Sequence, residues 1–270
     1  MEFTWFKGHG TENDFVLLPD HDGTLHGDLD PAFVAALCDR RRGIGADGVM
    51  RVVRCTALGH NSPAEWFMDY RNADGSLSQM CGNGIRVFAR HLLEQGLVEG
   101  PEFPIDTRDG LKFLSVVGDE IAVDMGAFTT GTHSKVSAAG QTWEALEVHT
   151  GNPHAVAFVD RVQDAGTLLE QPAFSESVYP EGVNIEFVER RGTHHVGMRV
   201  HERGSGETRS CGTGACAAAI ATARADGAHD PTEYRVDVPG GTLHVTVEPE
   251  RTVLRGPARI VAGGTMEWRG

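Results

Sequence analysis

The sequence predicts a mixed α/β (α+β) protein made of two similar strand-rich halves, each with a helix at its centre. Three observations carry this reading. Segments with apolar residues at every second position, such as 65–70 and 196–201, have the period of a half-buried strand. Only three stretches read as helices, and one of them is apolar over most of its first two turns, as in a helix wrapped by the rest of its domain. Finally, the chain repeats itself. At an offset of 130 residues Met68 meets Met198, Ser78 meets Thr208, Cys81 meets Cys211, Gly82 meets Gly212 and Gly84 meets Gly214. At an offset of 139, Asn13 meets Asn152, Gly43 meets Gly182, Ile44 meets Val183 and Val49 meets Val188. Matches in the same order at several places point to duplicated domains facing each other across a cleft.

The elements follow in order. Asp30 caps a first helix that has Pro31 at its first position and a stripe of Phe33, Val34, Leu37 and Cys38. A second helix spans about 83–95, with Ile85, Phe88, Ala89, Leu92 and Leu93 on one face and Gly96 as its stop. A third runs over about 213–226 and stops at Gly227. Segments 112–117 and 121–125 flank Gly118-Asp119-Glu120 as a hairpin, and 235–238 and 242–247 flank Pro239-Gly240-Gly241 likewise. A further strand pair is expected at 252–254 and 259–261. The expected halves are 1–118 and 119–258.

Composition narrows the function. Thirty-eight acidic residues against 24 Lys+Arg leave a formal charge of -14, a field that repels a phosphate backbone, so no nucleic-acid partner is expected. The only lysines are Lys7, Lys112 and Lys135, and none has a neighbourhood suited to a pyridoxal Schiff base. The N-terminus lacks a signal-peptide pattern and no apolar run approaches the ~18 residues of a membrane span, so a cytoplasmic protein without a membrane partner is expected. Five cysteines with no Cys-x-x-Cys pair suit reduced thiols, and no cysteine has metal-ligand spacing with a nearby histidine. No metal is expected.

The chemistry centres on Cys81-Gly82-Asn83-Gly84 and Cys211-Gly212-Thr213-Gly214. Each cysteine opens a helix, where unpaired N–H groups and the positive end of the dipole favour an anion. That setting is expected to lower a thiol pKa from about 8.5 toward ~3.5–7.5 and yield a usable thiolate base. The glycines let backbone N–H groups approach a carboxylate. Two such thiols across a cleft suit the inversion of a stereocentre, one removing the Cα proton and the other returning one. Cys38 and Cys216 read as core packing, and Cys55 is uninformative. Asp74 and Glu207 read as structural carboxylates, and His201 as a strand-surface residue.

Six motifs in order carry a resemblance that covers nearly the whole chain. They are Gly10-Thr11-Glu12-Asn13-Asp14-Phe15, Gly43-Ile44-Gly45-Ala46-Asp47-Gly48, Asn72-Ala73-Asp74-Gly75-Ser76, Cys81-Gly82-Asn83-Gly84, Gly151-Asn152-Pro153-His154, and Glu202-Arg203-Gly204-x-Gly206-Glu207-Thr208 with Cys211-Gly212-Thr213-Gly214. Together they resemble the diaminopimelate epimerases, amino-acid epimerases of lysine and peptidoglycan precursor biosynthesis that work without a pyridoxal cofactor. The resemblance implies two pseudo-symmetric barrel domains, each around a central helix, with the active site in the cleft between them. It places the final segment, about 259–270, in the first half.

It also implies roles. Cys81 and Cys211 would be the acid/base thiols, and the N–H groups of Gly82, Asn83, Gly212 and Thr213 would hold the reacting carboxylate. Asn72, Asn152, Asn184 and Arg203 would read the distal end of diaminopimelate, with Asn13 and Glu202 as contacts for ammonium groups. His154 and Glu202 would tune the thiols. No cofactor is implied, and a homodimer is compatible with the family. Many members carry glutamine where this chain has Gly48, so that substrate contact is lost or replaced here. The nearest rival, a proline or hydroxyproline racemase, typically has histidine where Asn83 stands. A non-catalytic binding protein or a thiol switch, with Cys81 and Cys211 forming a disulfide, is the alternative of a different class.

Overall fold

The computed structural model describes residues 1–268. In chain order it begins β1 (Glu2–Gly10), β2 (Asn13–Pro19), α1 (Pro31–Cys38), β3 (Gly48–Arg54), β4 (Trp66–Asn72), α2 (Gly82–Glu94), β5 (Glu102–Thr107), β6 (Gly110–Val117) and β7 (Glu120–Gly126). It continues β8 (Thr129–Ala138), β9 (Gln141–His149), β10 (Pro153–Val159), β11 (Asn184–Gly192), β12 (His195–Glu202) and β13 (Gly206–Thr208). The remainder is α3 (Gly212–Asp226), β14 (Thr232–Val238), β15 (Gly241–Val247), β16 (Thr252–Pro257) and β17 (Arg259–Glu267). This is the mixed α+β class that the sequence predicts.

The chain divides into two compact units, one of Met1–Val123 with the chain from Pro257 onward, the other Asp124–Gly256. The first division falls inside β7, whereas the expected one fell in the turn before it. The reason is that β7 pairs with β6 as far as Val123. Arg269 and Gly270, at the end of the expected returning segment, lie outside the described residues.

In the first unit the strand order is β17-β1-β2-β3-β4-β5-β6-β7. The successive pairings are antiparallel, antiparallel, parallel, antiparallel, parallel, antiparallel and antiparallel. In the second unit the order is β8-β9-β10-β11-β12-β14-β15-β16, and its pairings run in the same seven-step pattern. The weak sequence repeat is therefore matched by an identical strand topology. The first unit takes its outermost strand from the chain end, where the second unit has β8 at its start.

The expected pair at 252–254 and 259–261 is corrected. Both strands form, but β16 registers against β15 while β17 registers against β1. Local alternation marks a strand without naming its partner, and the chain changes unit between the two.

Each unit buries a helix. Along α2, Ile85, Val87, Phe88, Ala89 and Leu92 are fully enclosed, and α3 encloses Ala215, Cys216, Ala217, Ala218 and Ala219. Alanine along α3 lets the surrounding strands approach closely. Its Gly227 stop is left-handed, with φ 67°, and its N–H returns to Ala223 and Arg224. The short α1 is capped as expected, Asp30 accepting from Ala32 N and Phe33 N, and buries Val34, Leu37 and Cys38 against Phe3, Val16 and Leu18. No helix among the described residues is long and apolar enough to cross a membrane.

Candidate active site

The candidate residues gather in two clusters, one in each unit. In the first, Cys81 is the N-cap of α2, its Sγ accepting from Gly84 N at 3.4 Å. Sulfur replaces the usual Ser or Asp oxygen as cap, so the thiol sits over the first turn, where N–H groups have no upstream carbonyl in the helix. Asn13 is delivered by the β1–β2 hairpin. Its two turn residues, Thr11 and Glu12, both have positive φ, 50° and 63°. Such a turn is normally made with Asn or Gly, so two ordinary residues here are held in strained backbone next to a functional side chain.

A directional chain of hydrogen bonds ties this cluster together. Arg86, fully buried on α2, donates to Asn83 Oδ1 at 3.0 Å, and Asn83 Nδ2 donates to Asn13 Oδ1 at 3.2 Å. Asn13 Nδ2 donates in turn to Asp47 Oδ2 at 2.7 Å. The Cys81 thiol donates to the same Asn13 Oδ1 at 3.7 Å. Asp47 is held by Arg40 at 2.7 Å, and Arg40 also grips both oxygens of Asp14. Asp47 and Arg40 were not singled out from the sequence, although Asp47 lies in one of the quoted motifs. Asn72 is engaged in its own turn, with Nδ2 on Ser76 Oγ at 3.0 Å, and Asp74 caps Ser76 N. A Cβ at Gly48 would lie 2.5 Å from Arg71 O and 2.6 Å from the Tyr70 ring, so packing in this chain excludes any side chain there.

In the second unit Cys211 caps α3, Sγ accepting from Gly214 N at 3.4 Å and lying 3.4 Å from Thr213 Oγ1. Glu202, at the end of β12, lies near enough to the Cys211 sulfur to act on it electrostatically and accepts a hydrogen bond from Thr208 Oγ1. Beneath the first turn lies Glu186 of β11, fully buried, with Oε1 2.7 Å from His154 Nδ1. His154 Nε2 faces Asn152 Oδ1 at 2.9 Å. The two ring nitrogens of His154 thus face Glu186 and Asn152. Asn184 Oδ1 accepts from Arg203 N at 2.9 Å and its Nδ2 donates to Pro153 O at 3.3 Å, so its amide braces the chain on either side. Arg203 Nη1 donates to Glu181 O.

The electrostatics of Cys211 correct one expectation. Burial pushes the thiol well above its ordinary pKa, and the nearby Glu202 and Glu186 carboxylates push it the same way. Helix-end stabilisation of a thiolate is outweighed, because desolvation and two adjacent acids both favour the neutral thiol. Burial also raises Glu202. Glu186 was not singled out from the sequence, where it reads as one residue of an apolar strand. The available signal was an acid flanked by Ile185 and Phe187 on a strand buried on both faces. His201, expected on a strand surface, is buried, because β12 is paired on both sides there, with Ile185 of β11 and Glu207 of β13 opposite it. Glu207 pairs with Arg199.

The family model of diaminopimelate epimerase matches residues 5–130 and 147–261. The chain belongs to the diaminopimelate epimerase family. It is 52% identical to the diaminopimelate epimerase of Streptomyces coelicolor, covering 97% of this chain and 95% of the relative. It is 46% identical to that of Rhodococcus jostii, covering 100% and 99%. These relatives are isomerases, and so is this enzyme. Among solved structures it is similar to a PhzF-family phenazine biosynthesis protein of Bacillus anthracis (TM-score 0.74, 16% identity, 99% of this chain and 100% of that one). It is also similar to a hydroxyproline epimerase of Agrobacterium vitis solved with trans-4-hydroxy-L-proline (TM-score 0.69, 15% identity, 98% and 92%). These two likenesses concern the fold alone.

Proposed function

We propose that this enzyme interconverts LL- and meso-2,6-diaminopimelate by two-base proton transfer at one Cα, with Cys81 and Cys211 acting from opposite faces and no cofactor. The observation that carries the reading is the matched pair of N-capping thiols. Each Sγ lies 3.4 Å from the N–H of the third residue of a buried helix, at equivalent positions of one strand topology. The reaction removes hydrogen from Cα as a proton, leaves the electron pair on a carbanion delocalised into the carboxylate, and returns a proton to the other face. Cα–H is far less acidic than a thiol, so donors must absorb charge at the carboxylate. The first-turn N–H groups of Gly82, Asn83, Gly212 and Thr213 are suited to this.

Cys211, held neutral by burial and two acids, enters as the proton donor, and Cys81 serves as base; the reverse reaction exchanges the roles. The distal amino-acid end would be read by Arg203 and Asn152, with Asn184 fixing the backbone of Arg203 and Asn72 shaping its own turn. Glu202 and Asn13 would face ammonium groups, and His154 and Glu202 would tune the thiols. The product feeds lysine and peptidoglycan precursor synthesis in the cytoplasm.

The test is incubation with LL-diaminopimelate in D2O under reductant without added cofactor, following the Cα proton by NMR. Exchange and inversion are expected in the wild type, with inversion lost in Cys81→Ser and Cys211→Ser. A folded, reduced sample that exchanges nothing would refute the assignment; proline and 4-hydroxyproline would then be tried.

A further inference from the structure

Asn13 and Asn152 occupy equivalent places in the repeat, yet their amides meet different partners, a carboxylate at Asn13 and an imidazole at Asn152. At Asn13 the direction is set from both ends. Asp47 is a carboxylate and can only accept, so the amide atom 2.7 Å from it is the NH2 group. At the far end Arg86 can only donate, which turns the Asn83 carbonyl toward it and the Asn83 NH2 toward Asn13. Both ends require the Asn13 carbonyl to point at Asn83 and the Cys81 thiol.

At Asn152 the partner is His154 Nε2, at 2.9 Å. The other ring nitrogen lies 2.7 Å from Glu186 Oε1, so a proton sits between those two atoms on one side or the other. Glu186 and His154 are both fully enclosed. The Asn152 carbonyl faces Nε2, and a hydrogen bond in that direction requires a proton on Nε2. A proton there means two on the dyad, either as imidazolium and carboxylate or as imidazole and carboxylic acid. Both forms present the same Nε2–H, and both leave the Asn152 NH2 as the group still able to donate.

We propose that Asp47 and Glu186 are positioning residues that lock Asn13 and Asn152 in opposite amide orientations. Asn13 then offers a carbonyl to a proton-bearing group, the Cys81 thiol or a substrate ammonium. Asn152 offers an NH2 to an anionic group, a substrate carboxylate. The duplicated asparagine thus reads opposite charges in the two units, and the two ends of an amino acid carry those opposite charges. The identity of the substrate groups rests on the function proposed above; the locked orientations do not.

The deciding measurement is the protonation of His154 in 15N-histidine-labelled wild-type enzyme, with the ring assigned through backbone correlations. A protonated Nε2 at pH 7–8 is expected. An unprotonated Nε2 would oblige Asn152 to turn and donate to it, which overturns the proposal without any variant being made. Kinetics then test the consequence. Glu186→Gln removes the group that holds the second proton, and KM for diaminopimelate is expected to rise about 10- to 100-fold with kcat within about threefold. Asp47→Asn frees Asn13 to turn and is expected to lower kcat/KM about 3- to 10-fold. Variants with unaltered circular dichroism that leave both constants at wild-type values would overturn the proposal. Wild-type enzyme that fails to turn over diaminopimelate would refute the substrate assignment, while the state of Nε2 would still decide the orientation.

Discussion

Gly84→Ala and Gly214→Ala make the same change at equivalent positions of α2 and α3, with opposite expected outcomes. Replacing glycine by alanine in a helix favours the folded state by at most about 1 kcal/mol. At Gly84 the added methyl would meet Met50 Sδ at 3.3 Å and Cys81 Cβ and the Phe15 ring at 3.4 Å. A thioether can yield by a few tenths of an ångström, so Gly84→Ala should be neutral to stabilising by about 1 kcal/mol. At Gly214 the methyl would lie 2.8 Å from Glu186 Oε1 and 3.3 Å from Cys211 Sγ. That oxygen is fully buried and bonded to His154, so it either stays and is overpacked or moves and loses the 2.7 Å bond. Either route costs about 1–3 kcal/mol. Set against the propensity gain, the net is a destabilisation of about 1 kcal/mol. Urea denaturation followed by tryptophan fluorescence measures this. On diaminopimelate, kcat/KM should fall at least about tenfold for Gly214→Ala and stay within about threefold for Gly84→Ala. Equal stability and equal activity in the two variants would show that Glu186 does not press on the first turn of α3.

Alkylation of Cys211 by iodoacetamide should be slower than that of an ordinary thiol, because burial and two carboxylates keep it protonated. Glu202→Gln removes one of those charges and should speed it, and mass spectrometry of the Cys211 peptide from pH 7 to 9 reads the difference; slower labelling would contradict the electrostatic account. His91, buried on α2, is pushed down to about 4, chiefly by burial, so the folded state binds its proton more weakly than the unfolded chain. Stability is therefore present above about pH 6.5 and lost as pH falls toward 4, by up to about 3 kcal/mol; His91→Phe should flatten that stretch of the stability profile, and an unchanged acid limb would remove His91 as its cause. Arg51 holds buried Asp69 at 2.9 Å and lies 3.6 Å from buried Asp20. Arg51→Ala leaves carboxylates without that partner and should cost about 3–5 kcal/mol in urea unfolding, whereas a loss under about 1 kcal/mol would mean the other arginines on Asp69 suffice.

Local features were legible in the sequence wherever the cause was local. The Asp30 cap, the Gly227 stop and the hairpins β6–β7 and β14–β15 each follow from residues within a few positions of one another. The capping cysteines were legible for the same reason, since Cys-Gly-x-Gly before an apolar run is itself a helix start. Partners across the fold were not. Alternation in 252–261 could not say that β16 and β17 belong to different units. Nor could it show that Glu186 would meet His154, because that contact needs β10 and β11 in parallel register, with His154 opposite Asn184. The direction of the Cys211 shift was missed on similar grounds. The helix end is written in the sequence, but the desolvation and the two acids that outweigh it come from β11 and β12.

Duplication supplied one backbone twice, and the side chains then diverged in charge. Around Cys81 the relay runs from a buried guanidinium, Arg86, to a half-exposed carboxylate, Asp47; around Cys211 the nearby ionisable groups include two acids, buried Glu186 and half-buried Glu202. A reaction that inverted a carbon in an otherwise symmetric ligand would have no use for that difference. In the proposed reaction the second stereocentre stays fixed, so the two faces of the reacting carbon are not equivalent and neither are the tasks of the two thiols. One unit can then be built to keep its sulfur protonated while the other shares its sulfur's proton with an amide carbonyl that a substrate ammonium can claim. The claim of that carbonyl by a cation places positive charge beside Cys81 and favours its thiolate when substrate is bound. Asp47→Asn should therefore weaken the coupling between substrate binding and Cys81 ionisation, seen as a smaller gain in thiolate absorbance near 240 nm when a substrate analogue is added to a Cys211→Ser background. A gain equal to that of the Cys211→Ser parent would place the source of the positive charge elsewhere.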